Sequence, residues 1–240
     1  MQPSGIIVII VVIIGFFALI TLIFKWRESQ RKKVFKEVAD KKGFTFGTVF
    51  PNYLKLPHQG WFSDGKYSLN KYHLYRKEQG EEIFLFEAIR DDGPSDGTYF
   101  SWPTMALVWS NDINLPPFVF GPHGVVSRVI KFFKKDQNDK EEIIVSSPAF
   151  HQKYQIAASD NKAVGELFDD QLVDFLLKVE PPLFIEGFES GFLVYQDSSR
   201  LLMADKMVAL IDRAQELTKI IRRIKPAQGG DSELVSESSE

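Results

Sequence analysis

Residues 66–90 read "KYSLNKYHLYRKEQGEEIFLFEAIR", and this stretch decides the fold. Apolar and polar side chains alternate over residues 66–77 and again over 81–90, which is the period of a β-strand with one buried face. The residues that join the two runs, Glu78 to Glu81, include Gly80 and suit a tight turn. The stretch therefore predicts an antiparallel hairpin.

Further strand patterns lie on both sides of this hairpin. Residues 98–110 predict a third strand, with Pro103 at a bulge or an edge because proline cannot donate to a strand ladder. The run "PPLFIEGFESGFLVYQD" turns at Glu189-Ser190-Gly191 and predicts a second hairpin. Shorter strands are predicted at residues 43–47, 141–147 and 151–160. The first three long strands should form an antiparallel meander.

Four segments space their apolar residues at intervals of three and four, which predicts helices. They are residues 25–42, 125–135, 161–179 and 199–224. Gly43 is a suitable terminator for the first helix, and Asp160 is a suitable N-cap for the third. Asp169-Asp170 could mark a break within the third, because a helix N-terminus favours acidic side chains. The first helix carries an apolar stripe that needs a partner on the folded domain. The stripe consists of Val34, Phe35, Val38 and Ala39.

Together these patterns predict an α+β fold of antiparallel hairpins with packed helices, in two linked lobes behind one N-terminal transmembrane helix. The predicted segments are a transmembrane anchor at 1–24, a basic juxtamembrane helix at 25–42, a β-rich lobe at 43–115, an α+β lobe with a C-terminal helix at 116–225, and a disordered acidic tail at 226–240. The loop-like stretch 111–124 contains the boundary between the lobes.

The anchor is predicted from Ile6 to Phe24, a run of 19 residues without a charge. As a helix it would be roughly 28 Å long, close to the thickness of a bilayer core. Eight basic residues follow between Lys25 and Lys42. By the positive-inside rule we expect a single-pass protein of the cell (inner or plasma) membrane, with its N-terminus outside and its C-terminal domain in the cytoplasm.

Residues at the end of the anchor are candidates for contact with lipid headgroups, and we call them the collar. The collar consists of Lys25, Trp26, Arg27, Arg31, Lys32 and Lys33. Basic residues at this place can bind anionic lipids, or they can act only as the stop signal of the anchor. The lipid bilayer is the predicted partner, and another membrane protein is a second one.

The composition excludes several classes of site. The chain has no cysteine, which excludes disulfides and thiolate chemistry. Its four histidines, at positions 58, 73, 123 and 151, are isolated from one another, so we predict no metal site. Ser95 lies in "GPSDG", but that motif lacks the strand and helix that a nucleophile elbow requires. We predict no cofactor. We also predict no nucleic acid partner, because basic charge is concentrated in residues 25–42.

The chain resembles a bacterial family of unknown function. The resemblance is carried by "FKEVADKKGFTF", "EEIFLFEAIR", "LPPFVFGP", "SSPAFHQKYQIAASDNKAVGELFDDQLVDFLL" and "FIEGFESGFLVYQ". It spans about residues 35–224 and implies one N-terminal membrane helix with a cytoplasmic α+β domain. These motifs are structural, so the resemblance implies no catalytic or binding residue.

The function expected from the sequence is non-enzymatic. We expect a membrane-tethered interaction or accessory module, because tethering raises the local concentration of a partner in the same membrane. Two alternatives stay open. One is an enzyme whose site has no recognisable motif, and the other is a domain that binds anionic lipid through the collar.

Overall fold

A computed structural model describes residues 3–51, 54, 56, 67–78, 80–91, 100–101, 103–123, 145, 147–196 and 201–224. Within these ranges the chain forms five helices and nine strands. The helices are α1 (Pro3–Lys42), α2 (Pro148–Lys153), α3 (Asn161–Leu167), α4 (Asp170–Lys178) and α5 (Ala204–Ile224). The strands are β1 (Thr45–Gly47), β2 (Tyr67–Glu78), β3 (Glu81–Asp91), β4 (Phe100–Ser101), β5 (Thr104–Ser110), β6 (Phe118–Pro122), β7 (Tyr154–Ala158), β8 (Phe184–Phe188) and β9 (Gly191–Tyr195).

All nine strands belong to one antiparallel sheet with the order β1-β2-β3-β5-β9-β8-β6-β7, and β4 pairs with the end of β3. The predicted hairpins are confirmed as β2–β3 and β8–β9. The third strand, predicted at residues 98–110, is divided into β4 and β5, and Pro103 lies between them. The fold class predicted from the sequence, α+β with antiparallel strands, is therefore correct.

The boundary predicted between two lobes does not separate two sheets. Residues 118–122, which the sequence analysis assigned to that boundary, form β6 between β8 and β7. Strand β9 also pairs with β5, with Met105 opposite Tyr195, so strands of both predicted lobes join in one sheet. The alternation that reveals a half-buried strand is absent from "FVFGP" because its first four residues are all buried.

Local signals in the sequence explain where the helices begin and end. Gly43 has φ of +69°, a conformation that favours glycine, and Phe44 N–H donates to Ala39 O at 3.0 Å to close α1. The predicted helix at 161–179 is two helices, and the break falls at Asp169. Asp169 Oδ1 accepts from Leu172 N–H at 2.8 Å, so it caps α4.

Helices cover one face of the sheet. Buried residues of α1 and α5 pack there against β-strand residues such as Leu74, Leu85 and Val194. The stripe predicted on α1 is confirmed, since Phe35, Val38 and Ala39 are buried and Val34 is partly buried. On α5 the apolar residues Met207, Leu210, Ile211, Ala214, Leu217 and Ile221 are buried, whereas Met203 lies just before the helix and is 64% exposed.

The opposite face of the sheet is a second apolar layer, and it holds the buried side chains of Glu186 and His73. Phe84, Phe86 and Leu193 are among its residues. Glu186 is fully buried, and Tyr195 OH donates to its Oε1 at 2.8 Å. His73 is 4% exposed, and its ring centroid lies 4.5 Å from that of Phe50. Burial lowers the pKa of His73, because desolvation disfavours the imidazolium.

Several sequence predictions lie outside the described residues. They are the helix at 125–135, most of the strand at 141–147, the tail at 226–240, and the positions of His58 and Ser95.

The prediction of a membrane anchor is wrong. A membrane crossing needs about 20 predominantly apolar residues in one helix. Among the residues that the structure describes, no helix is both long enough and apolar enough for such a crossing. The single-pass placement in a cell membrane, with its assignment of outer and cytoplasmic sides, falls with that prediction.

We predict that replacing Asp169 by alanine lowers the free energy of unfolding by about 1 kcal/mol, because Leu172 N–H loses its acceptor. Chemical denaturation of the purified protein measures this change. The control is Asp174→Ala, which removes only a loose contact of 3.8 Å to Lys178 on the surface of α4 and should leave stability nearly unchanged. Equal losses in the two variants would contradict the capping role.

Acidification should destabilise the protein through His73. Its pKa is lower in the folded than in the unfolded state, so the unfolded state binds a proton first as the pH falls below about 6.5. This part of the stability is complete above the unfolded pKa and is lost as the pH falls towards the folded pKa. His73→Phe keeps a ring beside Phe50 and should flatten the fall of the melting temperature between pH 7 and 5. An unchanged slope would contradict the assignment.

Candidate interaction site on the N-terminal helix

Helix α1 has an exposed first part and a packed second part. We call residues 12–26 the arm. Ten large apolar side chains in the arm are between 48% and 65% exposed. They are Val12, Ile13, Ile14, Phe16, Phe17, Leu19, Leu22, Ile23, Phe24 and Trp26. An exposed apolar surface of this extent is typical of an interaction site, because isolated folded proteins rarely leave one open.

The apolar side chains of the arm point to all sides of the helix. Successive residues of an α-helix are separated by about 100°, and the ten side chains occupy positions around the whole circle. The hydroxyl of Thr21 donates to Phe17 O at 2.8 Å, so this polar group is bonded within the helix. A binding partner would therefore have to surround the arm, in contrast to a partner that covers one stripe.

The helix enters the folded domain at Arg31. No residue from 12 to 30 is buried, whereas Arg31, Phe35, Val38 and Ala39 are. The guanidinium of Arg31 forms an ion pair with the carboxylate of Glu87 in β3 and also donates to Leu202 O. We call this place the junction, and it consists of Arg31, Glu87 and Leu202.

The junction buries both charges. The side chain of Arg31 is 9% exposed and that of Glu87 is completely buried. Burial lowers the pKa of Arg31 to about 10, which leaves it protonated at neutral pH. Asn70 Nδ2 donates to Glu87 Oε2 at 2.7 Å, and Thr104 Oγ1 lies 3.5 Å from Oε1. Both carboxylate oxygens of Glu87 therefore have partners, as a buried carboxylate requires.

Two weaker contacts hold α1 at its exposed surface. Glu28 accepts from Lys71 Nζ and from Tyr72 OH, each at 3.0 Å, and these hydrogen bonds lower the pKa of Glu28, that from Lys71 most. Lys42, near the end of α1, pairs with Asp212 of α5. Such exposed ion pairs contribute little to stability because water and salt screen them.

Exposed apolar side chains also occur on the domain beside the junction. Leu201 is 37% exposed and Met203 is 64% exposed, and they flank Leu202, whose carbonyl binds Arg31. Among the described residues outside the arm, Val49 is the other large apolar side chain with high exposure, at 80%. Exposed apolar side chains therefore lie both on the arm and on the domain beside the junction.

The structure divides the collar. Lys25, Trp26, Arg27, Lys32 and Lys33 are exposed, and their contact with lipid stays a prediction. The assignment of Arg31 to the lipid-contacting collar is corrected, because its guanidinium is buried against Glu87 and is not available to a headgroup. Arg31 lies four residues before Phe35 and seven before Val38, which places it on the buried stripe of α1. This spacing was the signal in the sequence for its burial.

Other candidate groups form structural contacts. His151 Nε2 lies 2.9 Å from Val145 O, and Asp169 is the N-cap of α4. In the described part of the chain, no group of three or more His, Asp or Glu side chains is placed to hold a metal ion. The arrangement best suited to recognition is therefore the arm with the surface around the junction.

Comparisons with known proteins give one similar structure. No model of a known protein family matches the chain, and no curated protein matches it. The crystal structure of the mycobacterial trehalose monomycolate transport factor A, TtfA, is similar with a TM-score of 0.50 and 16% sequence identity. The alignment covers 82% of this chain and 97% of that one. At this identity the likeness shows a shared fold.

Proposed function

We propose that the protein is a non-enzymatic accessory factor of a membrane-associated transport process, and that it acts by binding a membrane protein through the arm. The observation that carries the proposal is the exposure of ten large apolar side chains around one helix whose second part is fixed to the domain. The fold shared with a trehalose monomycolate transport factor supports the choice of a transport process.

Burial of the arm would supply a large part of the energy that a complex requires. Burying a large apolar side chain stabilises a complex by about 1.5–3 kcal/mol. Association costs about 4–15 kcal/mol in lost translational and rotational freedom. The ten side chains are 48–65% exposed, so burying most of them would gain about half of the full-burial value for each, a total of the same order as the cost of association.

The chemistry of the partner follows from the arm and the collar. Because apolar side chains point to all sides of the arm, the partner should offer several apolar helices that surround it. Lys25, Arg27, Lys32 and Lys33 are exposed at the end of the arm. The partner should therefore carry acidic groups beside its apolar site, since complementary charges guide association and fix orientation.

The continuity of α1 explains how binding at the arm would act on the domain. One helix runs from Pro3 to Lys42, and its second part packs on the sheet and on α5. A partner that holds the arm thereby holds the domain at a fixed place. This is the task of an accessory factor that presents a folded surface to a transporter.

Site-specific photo-crosslinking in cells tests the proposal. A photoreactive amino acid replaces Phe17 in the arm or, as a control, Lys219 on the exposed surface of α5. We expect Phe17 to give one protein adduct that is a transport protein with apolar helices, and Lys219 to give none. Adducts of Phe17 to lipid alone, or to a second copy of this chain, would contradict the proposal.

Acidic substitutions in the arm should weaken partner binding and leave the fold of the domain unchanged. Phe17→Glu combined with Ile23→Glu places charges on an apolar surface, and we expect partner binding to weaken more than about tenfold. The melting temperature should stay the same, because these side chains are exposed. Co-purification with the identified partner measures binding. Val49→Glu, another exposed apolar residue made acidic, is the matched control and should bind normally.

Charge reversal at the end of the arm should weaken binding in a salt-dependent way. We expect Lys25→Glu with Arg27→Glu to slow association with the partner at low ionic strength, and the difference from the unmodified protein to shrink as salt is added. Lys162→Glu, an exposed basic residue of α3, is the control and should leave the association rate unchanged. A loss of binding that is the same at all salt concentrations would contradict a role for these charges.

A further inference from the structure

We propose that the buried ion pair between Arg31 and Glu87 fixes the direction in which the arm leaves the domain. The two residues are then positioning residues for the interaction that the proposed function assigns to the arm. The direction of the arm matters for partner binding only under the proposed function. The direction itself can be measured on this protein alone.

The ion pair lies at the boundary between the free and the packed part of α1. No residue from 12 to 30 is buried and Arg31 is, so Arg31 lies where the free part of the helix meets the packed part. A helix that pivots on its domain changes direction most easily at this place. Any contact that resists such a change acts most effectively here.

The guanidinium of Arg31 contacts several separate parts of the domain. It donates to Glu87 in β3 and to Leu202 O before α5, and its carbon lies 5.1 Å from the centroid of the Phe35 ring. One Nη also lies 3.6 Å from Met207 Sδ in α5. Arginine donors leave a planar group in fixed directions, so bonds to two separate elements specify both the position and the rotation of α1.

The acceptor is held in place by contacts within the sheet. Glu87 is bonded by Asn70 Nδ2 and faces Thr104 Oγ1 on the adjacent strand. Asn70 lies in the irregular stretch of β2 between Leu69 and His73, where the register shifts. That irregularity and the neighbouring strand β5 together aim the carboxylate, so Glu87 offers a fixed target to Arg31.

An apolar pair in the same place would not specify direction. Apolar contacts are non-directional and allow a helix to rotate or slide over a packed surface at small cost. Replacing a buried ion pair by apolar residues of similar volume is often neutral or stabilising, which argues that this pair is not needed for stability alone. Some buried polar pairs are retained because they specify one arrangement, and the placement of Arg31 fits that role.

Distance measurements between spin labels test the proposal. The chain has no cysteine, so Leu19→Cys in the arm and Lys219→Cys in α5 can be labelled without removing native thiols. The unmodified junction should give a narrow distance distribution. Arg31→Met with Glu87→Leu should keep a similar melting temperature, because no buried charge is left unpaired, and should give a broader distribution.

The matched control removes the exposed contact one turn away. Glu28→Leu with Lys71→Met deletes an ion pair between α1 and β2 whose side chains are 49% and 59% exposed, together with the hydrogen bond from Tyr72 OH, and it should leave the distribution narrow. Arg31→Lys keeps the charge and loses the planar group, and it should give an intermediate width. The Arg31→Lys variant also provides the measurement if the apolar double variant does not fold.

The outcomes separate the two proposals. A narrow distribution in both junction variants would overturn the role of the ion pair. A broad distribution with partner binding weakened about tenfold would support both proposals, since apparent affinity falls with the fraction of arms in the competent direction. A broad distribution with undiminished binding would support the role of the pair in direction and would show that the partner does not require that direction. A narrow distribution in the unmodified protein, a broad one in the junction variants and no partner for the unmodified protein would count against the proposed function alone.

Discussion

The fold and its candidate site depend on the docking of the second part of α1 onto the sheet. Phe35 and Val38 supply non-directional apolar contact, and Arg31 adds directional bonds to Glu87 and Leu202. The two kinds of contact have different effects on α1. Burial of apolar area stabilises its docking, and hydrogen bonds of fixed geometry determine its orientation. Without this docking, the exposed apolar arm would have no defined place relative to the domain.

Much of the fold was accessible from local patterns. The β2–β3 hairpin, the second hairpin at Glu189–Gly191 and the N-cap at Asp160 were predicted because each depends on a few adjacent residues. Strand β6 was missed because nearly all its residues are buried, so its sequence shows no alternation. The joining of both predicted lobes in one sheet was missed because pairing of β5 with β9 links residues far apart in sequence.

The candidate site was predicted less well than the fold, for a physical reason. The apolar and basic character of residues 6–42 is plain in the sequence, but character does not determine what surrounds a side chain. Arg31 was grouped with exposed basic residues, although it pairs with Glu87, 56 positions later in the chain. The membrane crossing inferred from the same character was wrong, as the helices of the described residues show.

The two parts of α1 show how one helix can serve two requirements. In the second part, side chains at intervals of three and four are buried, and the remaining positions hold basic residues such as Lys32 and Lys36. In the arm no such division exists, because no side of it lies against the domain. A helix that is apolar on every side gains nothing from a fixed rotation by itself. Under the proposed function, the fixed rotation matters for the surface at the base of the arm, where Leu201, Met203 and the basic residues are exposed.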